Sequence, residues 1–594
     1  MWYLEKMKEL LSPQDEQLLK EIYAPQIVAV QPEDSRRSIC VMPDGELRVY
    51  GHENQTQPYR HSSGRPVYIS SRDCGLSWKK HLIEGGGVLG AAVRNPRTGG
   101  YLTIKTHDYN RGEKGTWAFL SDIGSDDREP KAVKVSDLPY QDVFQPKPMK
   151  RPGSWMVSMS RPDNGWNIPA FARSDDDGLT WRVTELKSTP KHEPVWPHVD
   201  VRWQNTGAEP IVTELEDGTL VMLARNSTDF FYIYRSHDGG ESWTDGEPSR
   251  FRGTLTTPYF LELSDGRTIL FWNNTQPLPE TRHTNVWPPL DSGTVAGLGE
   301  DVFTNRDAAH AAITSDFKNW QGFREIALNG IRNEPDFRVR GGWQSSADKS
   351  VHQFQALELP FGKVLVAYGQ NVSARRMAIF DIGWLYESSR TEDWQQGLIN
   401  LSTHMFVKSI YGSHLGTGYG GHCAANRTDG ALLIPDPDAT FGEVLQICRI
   451  TDPRLLCEKQ GAAWNFPAAH KGSLRLRVRI EGAGLHVSLL DRWMNPTDIT
   501  ARLLSPMTFD LTSDTLSTGV WHDVEIIWDT GGMTRVLSDG EPLFGVRCSY
   551  RPENGISYLH LQTMAEGYDP KGTPLGRVAT AADMCGAVEF LLGE

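Results

Sequence analysis

An eight-residue phrase occurs three times in this chain and constrains its fold more than any other stretch. It reads Ser71-Arg-Asp-Cys-Gly-Leu-Ser-Trp78, then Ser174-Asp-Asp-Asp-Gly-Leu-Thr-Trp181, then Ser236-His-Asp-Gly-Gly-Glu-Ser-Trp243. In the shared frame Ser-x-Asp-x-Gly-x-(Ser/Thr)-Trp, the Ser and Asp side chains suit a tight turn, because they hydrogen-bond nearby backbone N–H groups. The Gly supplies a positive-φ position, and the Trp lays a large ring on the packed surface beside the turn. The frame predicts a hairpin turn between two strands, once per structural unit. Eroded copies fill the gaps at Ser121-Asp-Ile-Gly124, Thr314-Ser-Asp-Phe-Lys-Asn-Trp320 and Ser388-Ser-Arg-Thr-Glu-Asp-Trp394. The start points 71, 121, 174, 236, 314 and 388 are 50, 53, 62, 78 and 74 residues apart. Strand-rich repeats of that length predict the blades of a β-propeller.

The rest of the chain fits an all-β plan. Residues 1–30 read as a short helical segment, with a second helix starting at Ser12-Pro-Gln-Asp15. Residues 31–405 carry the repeats. There Gly45-Glu-Leu-Arg-Val-Tyr50, Gly218-Thr-Leu-Val-Met-Leu-Ala224 and Arg267-Thr-Ile-Leu-Phe-Trp272 each follow an Asp-Gly turn, the signature of β-hairpins. Inserts from Lys187 to Asn205 and from Asn274 to Thr304 are long enough to suggest function. Residues 406–594 open with the glycine-rich connector Gly412 to Gly421. They continue as short alternating strands such as Ser473-Leu-Arg-Leu-Arg-Val-Arg-Ile480 and Trp521-His-Asp-Val-Glu-Ile-Ile-Trp528, which predict a separate antiparallel sandwich. The expected fold is therefore a six-bladed β-propeller followed by a β-sandwich or jelly roll.

Composition narrows the partners. A chain of 594 residues implies two or three domains, and a net charge of −14 argues against nucleic acid and an anionic membrane surface. There is no run of 18 apolar residues for a membrane-spanning helix. The start, Met1-Trp-Tyr-Leu-Glu-Lys-Met-Lys-Glu-Leu-Leu, lacks the apolar core of a secretory signal, so a cytoplasmic location is expected unless the sequence has been trimmed. The seven Cys show no C-x-x-C spacing; neither a zinc site nor a disulfide framework, and no cofactor, is expected.

The recurring phrase is the Asp-box, and residues 31 to 400 resemble the sialidase (neuraminidase) superfamily of six-bladed propellers. The C-terminal sandwich looks like the concanavalin-type jelly rolls attached to carbohydrate enzymes, here more structural than sugar-binding, since no clear aromatic platform or metal motif appears. The segment Ala208-Glu-Pro-Ile-Val-Thr-Glu-Leu-Glu-Asp-Gly-Thr-Leu-Val-Met-Leu-Ala-Arg225 is similar to the sialidase stretch in which a Glu precedes an Arg. The resemblance implies that Glu209 polarises a nucleophile and Arg225 grips a substrate carboxylate. It implies a second carboxylate-binding Arg at Arg306, with Arg282 as rival. A third is implied at Arg37, where Arg36-Arg-Ser-Ile-Cys stands in place of the family's Arg-Ile-Pro. Whatever the family, three converging guanidinium groups in an acidic protein predict an anionic ligand, because they bind carboxylates by strong, directional, charge-assisted bonds.

Two departures from the family alter the expected chemistry. The loop that should carry an acid/base Asp reads Pro58-Tyr-Arg-His-Ser-Ser-Gly-Arg-Pro66, leaving His61, or Glu53 upstream, as the proton donor. The stretch that should carry a nucleophilic Tyr reads Ser350-Val-His-Gln-Phe-Gln-Ala-Leu-Glu-Leu-Pro-Phe-Gly-Lys363, placing His352 or Gln353 at that position. A His there serves as an acid or base near neutral pH. His107, His198, His310 and Asp200 are reserve candidates. The expected function is an exo-glycoside hydrolase removing a terminal carboxylate-bearing sugar, sialic acid or a related acid, from an oligosaccharide or glycoconjugate. The alternatives are a lyase eliminating across a uronate and a non-catalytic glycan-binding propeller. The N-terminal helix and the sandwich could both build an interface between copies of the chain.

Overall fold

The computed structural model describes the whole chain except residues 33–34, 36–38, 54–64, 85–91, 107–113, 164–165, 191–205, 254, 277–305, 329–350, 370–374, 407–426, 453–454, 456, 577–588 and 593–594. It comprises two compact units: Met1–Asn273 with Ile313–Asn319 and Gly342–Trp384, and Asn274–Ala312 with Trp320–Gly341 and Leu385–Glu594.

The first unit is built from four-stranded antiparallel sheets whose strands follow chain order. The first sheet joins Ile39–Val41, Leu47–His52, Pro66–Ser71 and Lys79–Leu82. The second joins Val93–Arg94, Tyr101–Thr106, Thr116–Ser121 and Lys131–Ser136, and the third joins Lys147–Pro148, Trp155–Asp163, Trp166–Ser174 and Arg182–Glu185. The fourth joins Ile211–Glu214, Leu220–Ala224, Phe230–Ser236 and Glu247–Arg252. The hairpin Tyr259–Glu262 with Thr268–Trp272 takes the fifth place. Asp-Gly turns link inner to second strands as the sequence predicts: Gly218 (φ 83°) donates to Leu215 and Gly266 (φ 90°) to Leu263. These backbones suit glycine because a Cβ would clash at positive φ.

The recurring phrase forms the turn from third to fourth strand. In the second copy the Ser174 hydroxyl donates to Asp176 (2.8 Å) and accepts from the Gly178 N–H (2.9 Å). Asp176 also accepts from the Thr180 N–H and hydroxyl (2.8 and 2.6 Å), and Trp181 Nε1 donates to the Gly178 carbonyl (3.0 Å). The copy at Ser71 repeats all of these partners. The copy at Ser236 repeats the Ser and Asp bonds. The eroded copy at Thr314 keeps the geometry with Asn319 in place of the second hydroxyl, and Phe317 takes the positive φ (56°). The stretch Ser388 to Trp394 departs from expectation. Its Ser389–Arg390 pairs with Glu589–Leu592 in the second unit. The reason lies in the last sheet of the first unit, ordered Gln26–Ala29, Arg376–Asp381, Lys363–Tyr368, Gln355–Leu359. Its outermost strand comes from the N-terminus, so no third-to-fourth turn is needed there.

That borrowed strand closes the propeller. Inner strands of neighbouring sheets touch, from Ile39–Val41 through Val93–Arg94 on one side and Gln355–Leu359 on the other, with Ile211–Glu214 and Tyr259–Glu262 between the third and last sheets. The second and third sheets share a core of Leu102, Ile104, Trp155 and Val157. Across the centre, Gln355 Nε2 donates to Gln145 Oε1 (2.6 Å), Gln145 Nε2 to the Ile39 carbonyl (3.2 Å), and the Ile39 N–H to Gln355 Oε1 (2.9 Å). Helices Tyr3–Leu10 and Pro13–Glu21, the second capped by Ser12, bury Tyr3, Met7, Leu19 and Ile22 against the first and last sheets.

The second unit is a β-sandwich. Nine- and five-stranded antiparallel sheets enclose one core, with Leu474, Leu476, Val478 and Trp528 from the larger and Phe466, Val487, Leu489 and Leu561 from the smaller. In Lys471–Arg479 alternate residues are buried, which places Arg475, Arg477 and Arg479 on the opposite face from the core. His310, a reserve candidate from the sequence, is fully buried here. The Asn274 N–H donates to its Nδ1 (3.0 Å), so Nε2 carries the proton and donates to Tyr558 Oη (2.6 Å); that hydroxyl donates to Glu325 (2.7 Å). Burial pushes the His310 pKa down to about 3.

Two outcomes follow from this arrangement. Asp176→Ala, which removes three bonds from one turn, should destabilise the first unit by about 1–3 kcal/mol in denaturant unfolding. A histidine whose folded pKa lies below its unfolded value stabilises above the unfolded pKa and loses that contribution as pH falls. His310→Gln should therefore reduce the loss of stability between pH 7 and pH 5 by about 2 kcal/mol relative to wild type.

Candidate functional site

Three side chains at one register position of three successive sheets converge. Glu209, Thr257 and Gln353 each stand two residues ahead of an inner strand, those beginning at Ile211, Tyr259 and Gln355. Gln353 Nε2 donates to Glu209 Oε1 (2.8 Å) and Thr257 Oγ1 (3.1 Å), and Thr257 Oγ1 donates to Glu209 Oε2 (2.5 Å). Glu209 and Gln353 both hold positive φ (46° and 63°), a backbone form that costs energy outside glycine and persists only where the surroundings enforce it.

Arg225 completes the cluster from the end of the second strand of the fourth sheet. Its carbonyl accepts from the Gly207 N–H (2.8 Å) and its own N–H donates to the Ala208 carbonyl (3.4 Å), which pins the backbone that presents Glu209. Arg225 Nη1 lies 2.5 Å from Glu209 Oε2, and both side chains are more than nine-tenths buried. The Glu209 N–H donates to Asp142 Oδ2 (3.4 Å), itself held by the Ser160 hydroxyl (2.6 Å). Among the described residues, Gln353 Nε2, Thr257 Oγ1 and Arg225 Nη1 thus converge on the Glu209 carboxylate. His352, buried, packs beside this group with Nε2 3.5 Å from Gln353 Nε2, and its carbonyl accepts from the Gly369 N–H (2.7 Å).

The structure therefore brings together Glu209, Arg225 and His352 of the residues expected from sequence. Of the two alternatives for the phenol position, Gln353 is the one bonded to Glu209. Arg37 and His61 lie outside the described residues, as do Arg282, His107, His198 and Asp200. Arg306 belongs to the second unit, fully buried two residues ahead of Ala308–Thr314. Beside it in sequence, Asp307 approaches His404 (3.7 Å), which stacks on Trp493 and accepts from Asn495 Nδ2 (3.1 Å). Glu53 is bonded to Lys80 (2.9 Å) and Arg65 (2.7 Å), which lower its pKa and keep it a carboxylate rather than a proton donor. Among the described residues no three His, Cys, Asp or Glu side chains are grouped to hold a metal ion. Thr257 and Asp142 escaped the sequence reading. The signal for Thr257 is its register relative to Tyr259, which shows only once the inner strands are aligned.

Residues 101–327 match the family described as BNR repeat-like domain. No curated protein matches the chain. Solved structures similar to it include a protein of unknown function from Dyadobacter fermentans (17% identity, 60% of this chain and 98% of that one, TM-score 0.37). Others are a Trypanosoma rangeli sialidase in complex with 2,3-difluorosialic acid (12%, 96% and 94%, TM-score 0.33) and the intramolecular trans-sialidase from Ruminococcus gnavus in complex with oseltamivir carboxylate (11%, 60% and 97%, TM-score 0.35). Likeness at these identities and scores says nothing of activity.

The buried pair sets its own test. Arg225→Met strands the Glu209 carboxylate without its cation and should cost about 3–5 kcal/mol in unfolding free energy, whereas Arg225→Met combined with Glu209→Gln should cost clearly less than the sum of the single changes.

Proposed function

We propose that the chain is an exo-acting glycoside hydrolase that removes a terminal carboxylate-bearing sugar, sialic acid or a related acid, with a non-standard acid/base set. The observation that carries this reading is the convergence of Glu209, Arg225, Thr257 and Gln353, with His352 alongside, at the leading ends of the inner strands of a propeller. The Arg225 guanidinium already donates to Glu209, and its planar fork of N–H groups matches the geometry of a carboxylate. Arg225 is thus suited to bridge Glu209 and a substrate carboxylate. Arg37 stands two residues ahead of Ile39 in the sequence, the spacing that Glu209, Thr257 and Gln353 share, and it is assigned to the same carboxylate.

The bond from the Gln353 amide to Glu209 supports a route without a covalent intermediate. An amide is neither a useful nucleophile nor a base, so the covalent mechanism that a Tyr–Glu pair supports is not the one for this cluster. In a single displacement, water attacks the anomeric carbon while one group takes its proton and another protonates the leaving oxygen. His352 is assigned as the base and His61 as the acid, with Glu209 orienting the site through its hydrogen bonds. His352, next to the Gln353 that shares Glu209 with Arg225, also supports a second reading, β-elimination at a uronate, in which the arginines neutralise the carboxylate and His352 removes the α-proton.

On a panel of sialosides and uronosides, His352→Gln should lower kcat by about 10²–10⁴-fold and remove one limb of the pH–rate profile. Ultraviolet absorbance of an unsaturated product would assign the elimination instead. If no glycoside on the panel turns over, the enzymatic reading fails and a glycan-binding propeller remains.

A further inference from the structure

The first unit holds a cavity of about 840 Å³ at the opposite ends of the inner strands from Glu209. Its walls include the turns that follow those strands, at Glu214–Asp217 and Glu262–Gly266, whereas Glu209, Thr257 and Gln353 precede them. Trp2, Met156, Leu263 and Phe317 give it an apolar side. Its volume falls in the range of about 300–1,000 Å³ usual for small-molecule sites.

Four cations line this cavity, Arg94, Lys147, Lys150 and Lys318, and Arg94 lies beside its apolar side. Arg94, at the end of the inner strand of the second sheet, lines the cavity with its guanidinium stacked over the Trp2 ring, 4.5 Å from the centroid. Its Nε is buried with no hydrogen-bond partner, and no ion pair reaches the guanidinium among the described residues. The acidic neighbours are differently placed. Lys147 Nζ holds both oxygens of Glu262 (2.9 Å each), the Lys150 N–H donates to Glu214 Oε2 (2.6 Å), and Asp316 accepts from the backbone of its own turn. Glu216 and Asp217 are exposed. A guanidinium resting over an aromatic ring keeps N–H groups for a carboxylate, and because the contact already restricts it, less ordering entropy is lost on binding.

We infer that this cavity is a second binding site, for a small organic monocarboxylate with a flat apolar body. The carboxylate sits on Arg94, and the body lies along Met156, Leu263 and Phe317. The exposed carboxylates of Glu216 and Asp217 select against a second anionic group. This site is independent of the proposed glycoside chemistry, since none of the residues assigned to that chemistry lines it.

The test is calorimetric titration of the full chain with 2-naphthaleneacetate, with the uncharged 2-naphthaleneethanol and a naphthalenedicarboxylate in parallel. The acid should bind at least tenfold more tightly than the alcohol and than the dicarboxylate. Arg94→Gln, checked for unchanged thermal unfolding, should weaken the acid at least tenfold and leave the alcohol unaffected. Absence of binding by the acid, equal binding of acid and alcohol, or equal binding of the acid by wild type and Arg94→Gln would each overturn the inference. Should Arg94→Gln fail to fold, the comparison of acid with alcohol on the wild type still decides it.

Discussion

The antiparallel pairing of Gln26–Ala29 with Arg376–Asp381 is the contact on which the first unit depends. Each of the other sheets is assembled from consecutive strands and could form from local sequence. The last one cannot, since its outermost strand arrives from the far end of the unit. Once it is paired, the inner strands are locked side by side, and the Gln145–Gln355–Ile39 bonds cross the centre. Lys363 adds to the lock by donating to the Lys20 and Ile22 carbonyls at the end of the second helix and to Asp381.

Closure is also what assembles the candidate site. Glu209, Thr257 and Gln353 are far apart in sequence, yet the ring gives them a common height, because each precedes its inner strand by the same two residues. The chemistry then follows from identity at that height. A carboxylate meets a hydroxyl, an amide and a guanidinium, with the imidazole of His352 alongside.

How much of this could be read from sequence depended on whether the determining contacts are local. The Asp-Gly hairpins and the Ser71, Ser174 and Ser236 turns were legible, because every bond that makes them lies within a few residues. Thr314 was legible in eroded form for the same reason. Ser388 misled because spacing alone cannot tell that the last sheet takes its edge strand from residues 26–29. Glu209 and Arg225 could be found from one continuous segment with a hairpin between them. Thr257 had no such mark: it sits in a Thr-Thr-Pro run that reads as a linker, and its role exists only through register with Tyr259. Asp142, holding the backbone of Glu209 from the segment ahead of the third sheet, was invisible for the same reason.

The borrowed edge strand also has a consequence during synthesis. Gln26–Ala29 leaves the ribosome early, but its partner emerges only after Arg376–Asp381 has been translated. At about 5–20 residues per second that delay is on the order of tens of seconds. Throughout it, the nascent segment carries Ile27 and Val30, which remain more than half exposed even in the finished protein, with no sheet to receive it. The helices ahead of it, of eight and nine residues, are too short to stand alone and bury Met7 and Leu19 against the first and last sheets, so the whole leading segment gains its support only when the last sheet is made.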